Sequence, residues 1–587
     1  MDRRPLTLVE KIIAANAIDI ESLDDVRPGN VVVLRVSWVL SSEASWVGIN
    51  KTYSQLGRPQ VHRRDRIWLA QDHTVDPRVN SRPEVKRTID LAEAAAKEIG
   101  IVDYYGPNYT IMHTEFCRER AQPGQVIVGS DSHTCSAGSL EALAIGLGAA
   151  DVTIPMITGE TWLNIPPVLG IKFINQPPFG IGGKDIILYV LGRLKRNTVA
   201  AGRAVEFMGP GLKYLSADAR FAISNMVTEF GGIAGVFVPD SIISAYLSRR
   251  KDTRHQDCAL YFQPDPGAQY AEVFEIDLTS VGSLVALYPS SDNIVPVGEV
   301  LGKELDGCFI GACTTAEEDL ILAALVLRQG FKAGLEPNGK GKRKVTPGSI
   351  PILNRLRDLG LLLWFQRAGF EIGAPGCSYC VGVAADVAGE GEVWLSSQNR
   401  NFPYRMGPGS YANLASAATV AASSFSMKVT DPSSLLNGIN RHEFDKIRQL
   451  WVDELLPVRY SEPVLKTGMI SSSSQEDLRP TKTQTETNIR IIPEGQQVIK
   501  GKCILFGDNV DTDAVSQSHS RTTTQPYEIL VRDRGLNIVV AGNAFGCGSS
   551  REEAPRALKG SGVKAVIAKS FAFIYSRNHQ TWRCWGL

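Results

Sequence analysis

The sequence lacks an excess of charge of either sign, since its 587 residues carry 62 Lys and Arg against 62 Asp and Glu. A chain without net charge has no global attraction to nucleic acid or to an anionic membrane. It also lacks any uninterrupted apolar run of about 18 residues, the length that a membrane-spanning helix needs. Its first residues, MDRRPLTLVEK, lack the pattern of a secretory or organellar leader. We therefore expect a cytoplasmic protein, with a mitochondrial location left open, that binds neither nucleic acid nor membrane.

Cysteine is scarce, with ten residues in the chain. In a reducing compartment these cysteines are ligands, catalytic thiols or core residues more often than disulfides. The segment GAPGCSYC sets Cys377 and Cys380 three positions apart after a Pro-Gly corner. Three interpretations of this cysteine pair remain open. A thioredoxin-like redox pair would need a small βαβ domain around it, and a zinc site would need a second close pair of ligands. Packing of both cysteines in the core is the simplest alternative.

A third cysteine, Cys313, occurs in a similar setting, GCFIGACTTAEEDL, where an apolar run precedes an acidic helix pattern. Three thiolates from two such corners can hold a cubane iron–sulfur cluster with one iron left open to substrate. By spacing alone this is one hypothesis beside the three alternatives above.

Histidine is scarcer still, with eight residues, and three of them fall within a short stretch as His73, His113 and His133. Asp72 precedes His73, and Asp131 lies two residues before His133. Carboxylates at these positions can fix imidazole tautomers and raise imidazole basicity. Each histidine alone is more often a surface or capping residue, but together they indicate a site.

The amino-acid composition changes along the chain and indicates three regions. Residues 1–460 alternate short β-branched runs with helical patterns, which is typical of parallel sheets covered by helices. Residues 461–495 are polar, rich in Ser and Thr, and indicate a linker. Residues 496–587 again predict a small sheet domain, in which GCGSSRE forms a glycine-rich turn before a helix. Such a turn favours anions, so it can bind phosphate or make Ser549 a better base.

Seven motifs in a fixed order, SDSHT, SNMVTE, GACTT, APGCSYC, NRNF, DNVDTD and GCGSSRE, carry a family resemblance. The chain resembles the aconitase family of 4Fe–4S hydro-lyases and is most similar to its isopropylmalate dehydratase and homoaconitase branch. The resemblance implies an α/β fold with three α/β/α domains around the cluster, at 1–167, 168–275 and 276–460. The linker at 461–495 and a swivel domain of β/β/α type at 496–587 follow. Because the family continues beyond AKSFAFIYSRN, we expect that swivel domain to be incomplete at its C-terminus.

The resemblance also implies roles for individual residues. Cys313, Cys377 and Cys380 would hold the 4Fe–4S cluster, with Asn225 and Asn399 in its environment. The acid/base pairs would be Asp72 with His73, His113 with Asp131, and His133 with Glu229. Ser549, supported by Asp513, would abstract the carbon-bound proton. Substrate carboxylates would be bound by a polar set that consists of Ser132, Arg400, Arg405, Ser550 and Arg551.

Departures from the family pattern bear on the substrate. Val47 stands near the position of a substrate-binding glutamine in aconitase proper, and the bulky Trp46 beside it is expected to narrow the site. Arg521 falls within about one position of the arginine that favours a distal carboxylate in homoaconitase-like enzymes. We expect a small hydroxy acid of the 2-substituted malate type, such as isopropylmalate.

The alternatives are a homoaconitate or aconitate hydratase, and an inactive or RNA-binding relative that lacks the cluster. The implied reaction is a reversible dehydration and rehydration without redox change, carried out by a monomer.

Overall fold

The computed structural model describes most of the chain. The described residues are 3–250, 252, 254, 259–448, 457–465, 503–512, 537–548, 553–581 and 585–586. They form a mixed α/β architecture with four larger sheets, each covered by helices, as the alternating pattern of the sequence predicts. Among these residues, no helix combines the length and the hydropathy that crossing a membrane requires.

The first sheet has the strand order β4-β3-β2-β5-β6, and all of its strands are parallel. The short strands β1 and β7 form a separate antiparallel ribbon. The strands are β1 (Val31–Arg35), β2 (Trp38–Ser42), β3 (Ile67–Ala70), β4 (Asp103–Tyr105), β5 (Val126–Gly129), β6 (Leu143–Gly146) and β7 (Glu160–Asn164). The helices are α1 (Leu8–Asn16), α2 (Glu43–Gln55), α3 (Pro83–Ile99), α4 (Met112–Glu119) and α5 (Ala149–Thr158). Strands β2, β3, β5 and β6 are buried along their whole length, which is typical of parallel sheets with both faces covered.

The second sheet is also parallel, with the order β10-β9-β8-β11. Its strands are β8 (Val168–Ile174), β9 (Ala204–Met208), β10 (Ala234–Phe237) and β11 (Glu272–Asp277). Its helices are α6 (Gly183–Leu194), α7 (Ala217–Asn225), α8 (Val227–Phe230) and α9 (Ser241–Ser248). Ser216 directly precedes helix α7, and its side chain accepts a hydrogen bond from the backbone N–H of Ala219 and so caps the helix.

The third sheet is mixed and has the order β13-β12-β18-β17-β14-β15-β16. Its strands are β12 (Leu284–Ala286), β13 (Ile294–Pro296), β14 (Gly307–Ile310), β15 (Lys342–Val345), β16 (Glu371–Ile372), β17 (Val393–Ser396) and β18 (Tyr411–Ala415). Its helices are α10 (Glu317–Lys332), α11 (Ile350–Asp358), α12 (Leu362–Arg367), α13 (Ala417–Ser423), α14 (Ser433–Asn437) and α15 (Arg441–Arg448). Strands β17, β14, β15 and β16 run parallel, so their carboxyl ends lie at one edge.

The described part of the C-terminal region contains a fourth, parallel sheet. Its elements are β19 (Cys503–Leu505), β20 (Ile538–Ala541), α16 (Glu553–Gly560), β21 (Ala565–Ala568), α17 (Phe573–Thr581) and β22 (Trp585–Gly586). Arg577 of α17 docks this layer on the first one. Its Nε donates to Asp151 at 2.6 Å, and its guanidinium lies 3.9 Å from the centre of the Trp162 ring. These contacts join α17 of the C-terminal layer to helix α5 and strand β7.

Candidate active site

Three neighbouring parallel strands of the first sheet end in polar residues at one edge. Strand β3 is followed by Asp72 and His73, strand β5 by Asp131, and strand β2 runs directly into Glu43. The carboxyl ends of parallel strands form the usual ligand-binding edge of an α/β sheet. The strand order therefore brings these four side chains to one place.

Asp131 is shared by all three histidines that the motifs single out. Its carboxylate lies 3.0 Å from His113 Nε2, 3.2 Å from His133 Nδ1 and 3.3 Å from His73 Nε2. Burial alone would raise the pKa of Asp131, but hydrogen bonds from His113, His133 and His73 hold that pKa well below its usual value. Asp131 is therefore an ionised carboxylate that orients three imidazole rings.

His73 is held between two carboxylates. Its Nδ1 lies 2.6 Å from Asp72 Oδ1, and Asp72 Oδ2 accepts the backbone N–H of Met112 at 2.8 Å. Burial alone would lower the pKa of His73, but the charge of Asp72 and the hydrogen bond to Asp131 raise it well above the ordinary value. The two carboxylates on either side of the ring therefore favour the protonated form of the His73 imidazole.

The third pair, His133 with Glu229, joins the first sheet to the second layer. His133 Nε2 lies 3.0 Å from Glu229 Oε1, and Arg400 Nε donates to the same oxygen at 2.7 Å. Although burial would raise the pKa of Glu229, His133 and Arg400 together lower it. The other arm of Arg400 donates to Ser132 Oγ at 2.7 Å. The two predicted carboxylate-binding residues thus contact each other.

The three cysteines lie after strands of the third sheet. Cys313 follows β14, while Cys377 and Cys380 follow β16. Two amides are directed at the Cys313 sulfur, because Asn225 Nδ2 and Asn399 Nδ2 both lie 3.2 Å from it. Amide donors directed at a sulfur suit a thiolate, as in iron–sulfur sites.

The surroundings of the three cysteines suit a group that brings positive charge, such as the iron of an iron–sulfur cluster. Burial raises the pKa of the Cys313 and Cys377 thiols, and the neighbouring Cys380 and Asp72 raise them further. Buried thiols that repel each other and nearby carboxylates in this way cannot all ionise without a compensating positive charge. Ligand atoms of Asp72, His73 and Cys377 also lie within 4.8 Å of one another. The donor set therefore suits iron at the point where the cysteines and the acid/base pairs meet.

Arg405, the second predicted carboxylate-binding arginine, borders the cysteines. Its Nη2 lies 3.7 Å from Cys380 Sγ, and its guanidinium lies 5.5 Å from the centre of the Phe402 ring. The remaining predicted residues lie outside the described residues, namely Asp513, Arg521, Ser549, Ser550 and Arg551. Gly548, which directly precedes Ser549, accepts a hydrogen bond from Arg400 Nη2 at 3.2 Å.

Trp46 does not narrow this site. The structure places it in the hydrophobic core around α1 and β1, with 1% of its surface exposed. Val47, the next residue of α2, is on the outside, with 47% exposed. The helix turns successive side chains about 100° apart, which separates Trp46 from Val47.

Glu43 is a site residue that the motifs did not indicate. It is fully buried, and its carboxylate accepts the backbone N–H groups of Asp72 at 2.8 Å, His73 at 3.0 Å and Thr74 at 2.7 Å. Thr74 Oγ adds a further bond at 3.1 Å. Glu43 thus fixes the loop that carries Asp72 and His73. The available signal was a lone carboxylate directly after a buried strand.

Lys184 is a second residue that the motifs missed. It is buried in α6, and its Nζ donates to the carbonyl groups of Ser397, at 3.1 Å, and Gln398. Burial lowers the pKa of Lys184 to about 8. Lys184 holds the two residues that precede Asn399 and Arg400, and so supports the loop after β17.

Replacing Glu43 with glutamine should lower kcat by about 10- to 100-fold, the usual cost of losing a partner that orients a ligand or catalytic group. A glutamine amide has only one acceptor oxygen for the backbone donors of Asp72, His73 and Thr74. We expect KM to change little, because Glu43 acts through the loop. Steady-state kinetics on the folded variant measure this split.

Thr74→Val is the matched control, because it removes one side-chain donor to Glu43 and leaves the backbone bonds. We expect its kcat to stay within a few-fold of the unchanged chain. A Glu43→Gln variant with normal kcat, or with a loss confined to KM, would show that Glu43 does not position Asp72 and His73.

The family model described as Aconitase family (aconitate hydratase) matches residues 10–426, and the Aconitase C-terminal domain model matches residues 496–582. The chain is 50% identical to Aconitase htyD from Aspergillus rugulosus, over 98% of this chain and 70% of that protein. It is 46% identical to the 3-isopropylmalate dehydratase large subunit gloJ from Glarea lozoyensis, with the same coverage of both chains. A 3-isopropylmalate dehydratase large subunit from Caldivirga maquilingensis is 34% identical over 73% of this chain and the whole of that protein.

Proposed function

Because this chain belongs to the aconitase family and is a hydro-lyase, we propose that it moves the hydroxyl group of a 2-substituted malate, with isopropylmalate as the model compound. The dehydratase names of two relatives support this substrate class. The observation that carries the proposal is that three linked histidine–carboxylate pairs reach the cysteine loops, with Asp72 and His73 beside Cys377 and with Asn399 between His133 and Cys313.

The proposed reaction is a dehydration followed by a rehydration. The C–O bond at the hydroxyl-bearing carbon and a C–H bond on the neighbouring carbon break, which forms a carbon–carbon double bond and releases one water. Addition of water in the opposite sense places the hydroxyl on the neighbouring carbon. No electrons are gained or lost, so the chemistry needs acid, base and charge stabilisation rather than a redox partner.

The cluster would be held by Cys313, Cys377 and Cys380, and it would supply a Lewis-acidic iron for the substrate hydroxyl. The chain supports this position with the amides of Asn225 and Asn399, which are directed at the Cys313 sulfur. Asn399 also lies 2.9 Å from His133 Nε2, so one side chain connects the cysteines to an acid/base pair.

The proton that leaves with the hydroxyl comes from the histidine group. His73 holds its proton between Asp72 and Asp131, and it can deliver that proton to the departing oxygen without separating charge in water. In the return direction His73 takes the proton back from the added water. Ser549, supported by Asp513, is the proposed base for the carbon-bound proton, since it follows Gly548 at the edge of the site.

We assign the binding of the substrate carboxylates to the arginines of the site and the polar residues beside them. Arg400 and Ser132 lie together beside Glu229, and guanidinium groups bind carboxylates with two parallel hydrogen bonds. Arg405, Ser550 and Arg551 complete the proposed set. Two carboxylates of a malate core would thereby be fixed while the proton-transfer groups act between them.

A direct test uses the full chain after anaerobic reconstitution with iron and sulfide. We expect ultraviolet absorbance from an unsaturated acid when a 2-alkylmalate such as 2-isopropylmalate is added, with a higher kcat/KM than for citrate. The same chain with its iron removed by a chelator is the control and should give no signal.

A preference for citrate would contradict the proposed substrate class. A chain that contains the cluster and dehydrates none of these acids would contradict the proposed reaction, and would favour the inactive relative.

A further inference from the structure

Lys184 is a buried lysine in the first turn of helix α6, with 2% of its surface exposed. Positive charge is unfavourable in a first turn, because the aligned peptide dipoles leave the helix N-terminus electropositive. The Nζ atom donates to the carbonyl groups of Ser397 and Gln398 and lies 3.4 Å from Met226 Sδ. In the part of the chain that the structure describes, Lys184 forms no ion pair with a carboxylate. A charge that leaves water without gaining a counter-charge is costly.

The carboxyl groups nearest in effect do not balance this charge. Glu229 is already paired with a histidine and an arginine of the site. Burial raises the pKa of Asp319 to about 8 and that of Asp185 to about 7, so neither carries a full negative charge at neutral pH. Burial lowers the pKa of Lys184 to about 8, which leaves its ammonium group largely protonated at neutral pH. The positive charge therefore needs an anionic partner beyond the described carboxyl groups.

Two contacts of Lys184 lead to the surroundings of the cysteines. Met226 and Gln398 are the chain neighbours of the two asparagines whose amides lie 3.2 Å from the Cys313 sulfur. Burial has the largest influence on the pKa of Lys184 and lowers it, while the charges of nearby carboxyls and of the Cys380 and Cys313 thiolates act in the opposite direction. The ammonium group therefore lies within the electrostatic reach of two of the three proposed ligands.

The third contact leads to the turn that carries Cys313. Ser397 Oγ accepts the backbone N–H of Gly311 at 2.9 Å and lies 2.8 Å from Thr315 Oγ1, so Ser397 bonds to the chain on both sides of Cys313. The carbonyl group of the same Ser397 accepts a hydrogen bond from Lys184 at 3.1 Å. Lys184 is thus fixed behind this turn without touching a cysteine sulfur in any described contact.

An iron–sulfur cluster held by three thiolates would supply the missing negative charge. The positive charge of a cubane core offsets much of the thiolate charge but not all of it, so the cluster and its cysteines are anionic together. Reduction adds an electron and makes them more anionic. A buried ammonium group close to them stabilises both states, and the reduced state more strongly.

We propose that Lys184 is the counter-charge of the cluster site, where its buried ammonium group balances the negative charge that the cluster and its three thiolates carry together. This inference rests on the cluster of the proposed function and is independent of the substrate. Removal of the charge should make the reduction potential of the cluster more negative, because the reduced form loses more stabilisation than the oxidised form.

The test is a potentiometric titration of the full, cluster-containing chain without substrate, for the unchanged chain and for Lys184→Met. The electron paramagnetic resonance signal of the reduced cluster reports the extent of reduction. Methionine is close to lysine in size but has neither the charge nor the donors. We expect the equilibrium constant for reduction to fall by about tenfold or more, which is a shift of about 59 mV to more negative potential for a one-electron couple.

Lys184→Gln separates the charge from the hydrogen bonds, because its amide is neutral and can still donate to a carbonyl group. We expect it to shift the potential in the same direction as Lys184→Met and by a similar factor. A potential that moves in Lys184→Met and returns to the original value in Lys184→Gln would show that Lys184 acts only by holding the loop, and would overturn the proposal.

Lys11→Met is the matched control for the loss of a buried lysine. Lys11 has 1% of its side chain exposed, and its Nζ pairs with Asp265 at 2.6 Å and Glu462 at 3.0 Å. We expect this variant to lose thermal stability, because it leaves two carboxylates without their partner. Its cluster potential should stay that of the unchanged chain.

Equal potentials in the unchanged chain and in both Lys184 variants would overturn the role of Lys184. If the two neutral variants are folded by circular dichroism and take up no cluster while Lys11→Met does, the charge is required for assembly, which supports the proposal. An unchanged chain that takes up no cluster would reject the cluster of the proposed function and this inference with it. A chain that takes up the cluster and dehydrates no malate would reject the proposed reaction alone, because the titration needs no turnover.

Discussion

Cys377→Ser is expected to abolish the visible iron–sulfur absorbance and the hydro-lyase activity together. Cys377 lies at a corner whose backbone is fixed, since its N–H donates to the carbonyl of Asp72 at 2.9 Å. Its sulfur lies within 4.8 Å of the ligand atoms of Asp72 and His73. A serine there is nearly the same size, but its hydroxyl is a harder and much less acidic ligand than a thiol. Iron and sulfide content, measured after anaerobic reconstitution, report the loss without reference to activity.

Cys308→Ala is the matched control for this change. Cys308 is fully buried in β14, on the strand that leads to Cys313, and packs in the core of the third layer. We expect the control to keep its iron and its absorbance, with a modest loss of thermal stability. A normal cluster spectrum in Cys377→Ser would remove Cys377 from the ligand set.

Asp131→Asn is expected to lower kcat by about 10⁴-fold, the upper end of the range for acid–base groups and their orienting carboxylates. The substitution removes the charge that three imidazoles share, at 3.0 Å, 3.2 Å and 3.3 Å. His73 would lose one of the two carboxylates that favour its protonated form, and the tautomers of His113 and His133 would no longer be set by one anion. Single-turnover and steady-state rates on the reconstituted variant measure the effect.

The fold around Asp131 should survive the change. The substituted side chain could still cap the 3₁₀ turn at Ser132–Leu140, because asparagine accepts the same backbone hydrogen bond. Asp277→Asn is the control, since Asp277 at the end of β11 caps the 3₁₀ turn at Leu278–Ser280 and bonds to Thr279 rather than to a histidine. We expect the control to keep its activity. A loss below about tenfold in Asp131→Asn would show that the histidines act independently of this carboxylate.

Much of the general organisation was accessible from local patterns. The buried strands predicted the parallel α/β architecture, which the structure confirms, and the order of the motifs predicted the aconitase family, which the family models confirm. The boundaries near residues 167, 275 and 460, and the catalytic roles of individual residues, stay predictions. The residues of each motif are close in sequence and follow a strand, so a local pattern is sufficient to indicate them.

Other features of the site were not accessible in this way. Glu43 acts on Asp72 from the neighbouring strand, 29 positions away, and nothing in its own surroundings distinguishes it from a helix-capping glutamate. The expectation for Trp46 was wrong in the opposite direction. Trp46 is a large residue near a motif and was expected to border the site, but it packs in the core.

The sequence by itself determined which chemical groups this protein has: three cysteines at two corners, three histidines with nearby carboxylates, and arginines after a buried strand. Each of these signals is local, because strand burial and motif spacing are set over a few residues. Only the tertiary structure decided which groups act together. Asn399 meets His133 across 266 positions, and Arg400 meets Ser132 across 268. Such contacts depend on how whole layers pack at their carboxyl edges, and that packing is a property of the folded chain rather than of any one segment.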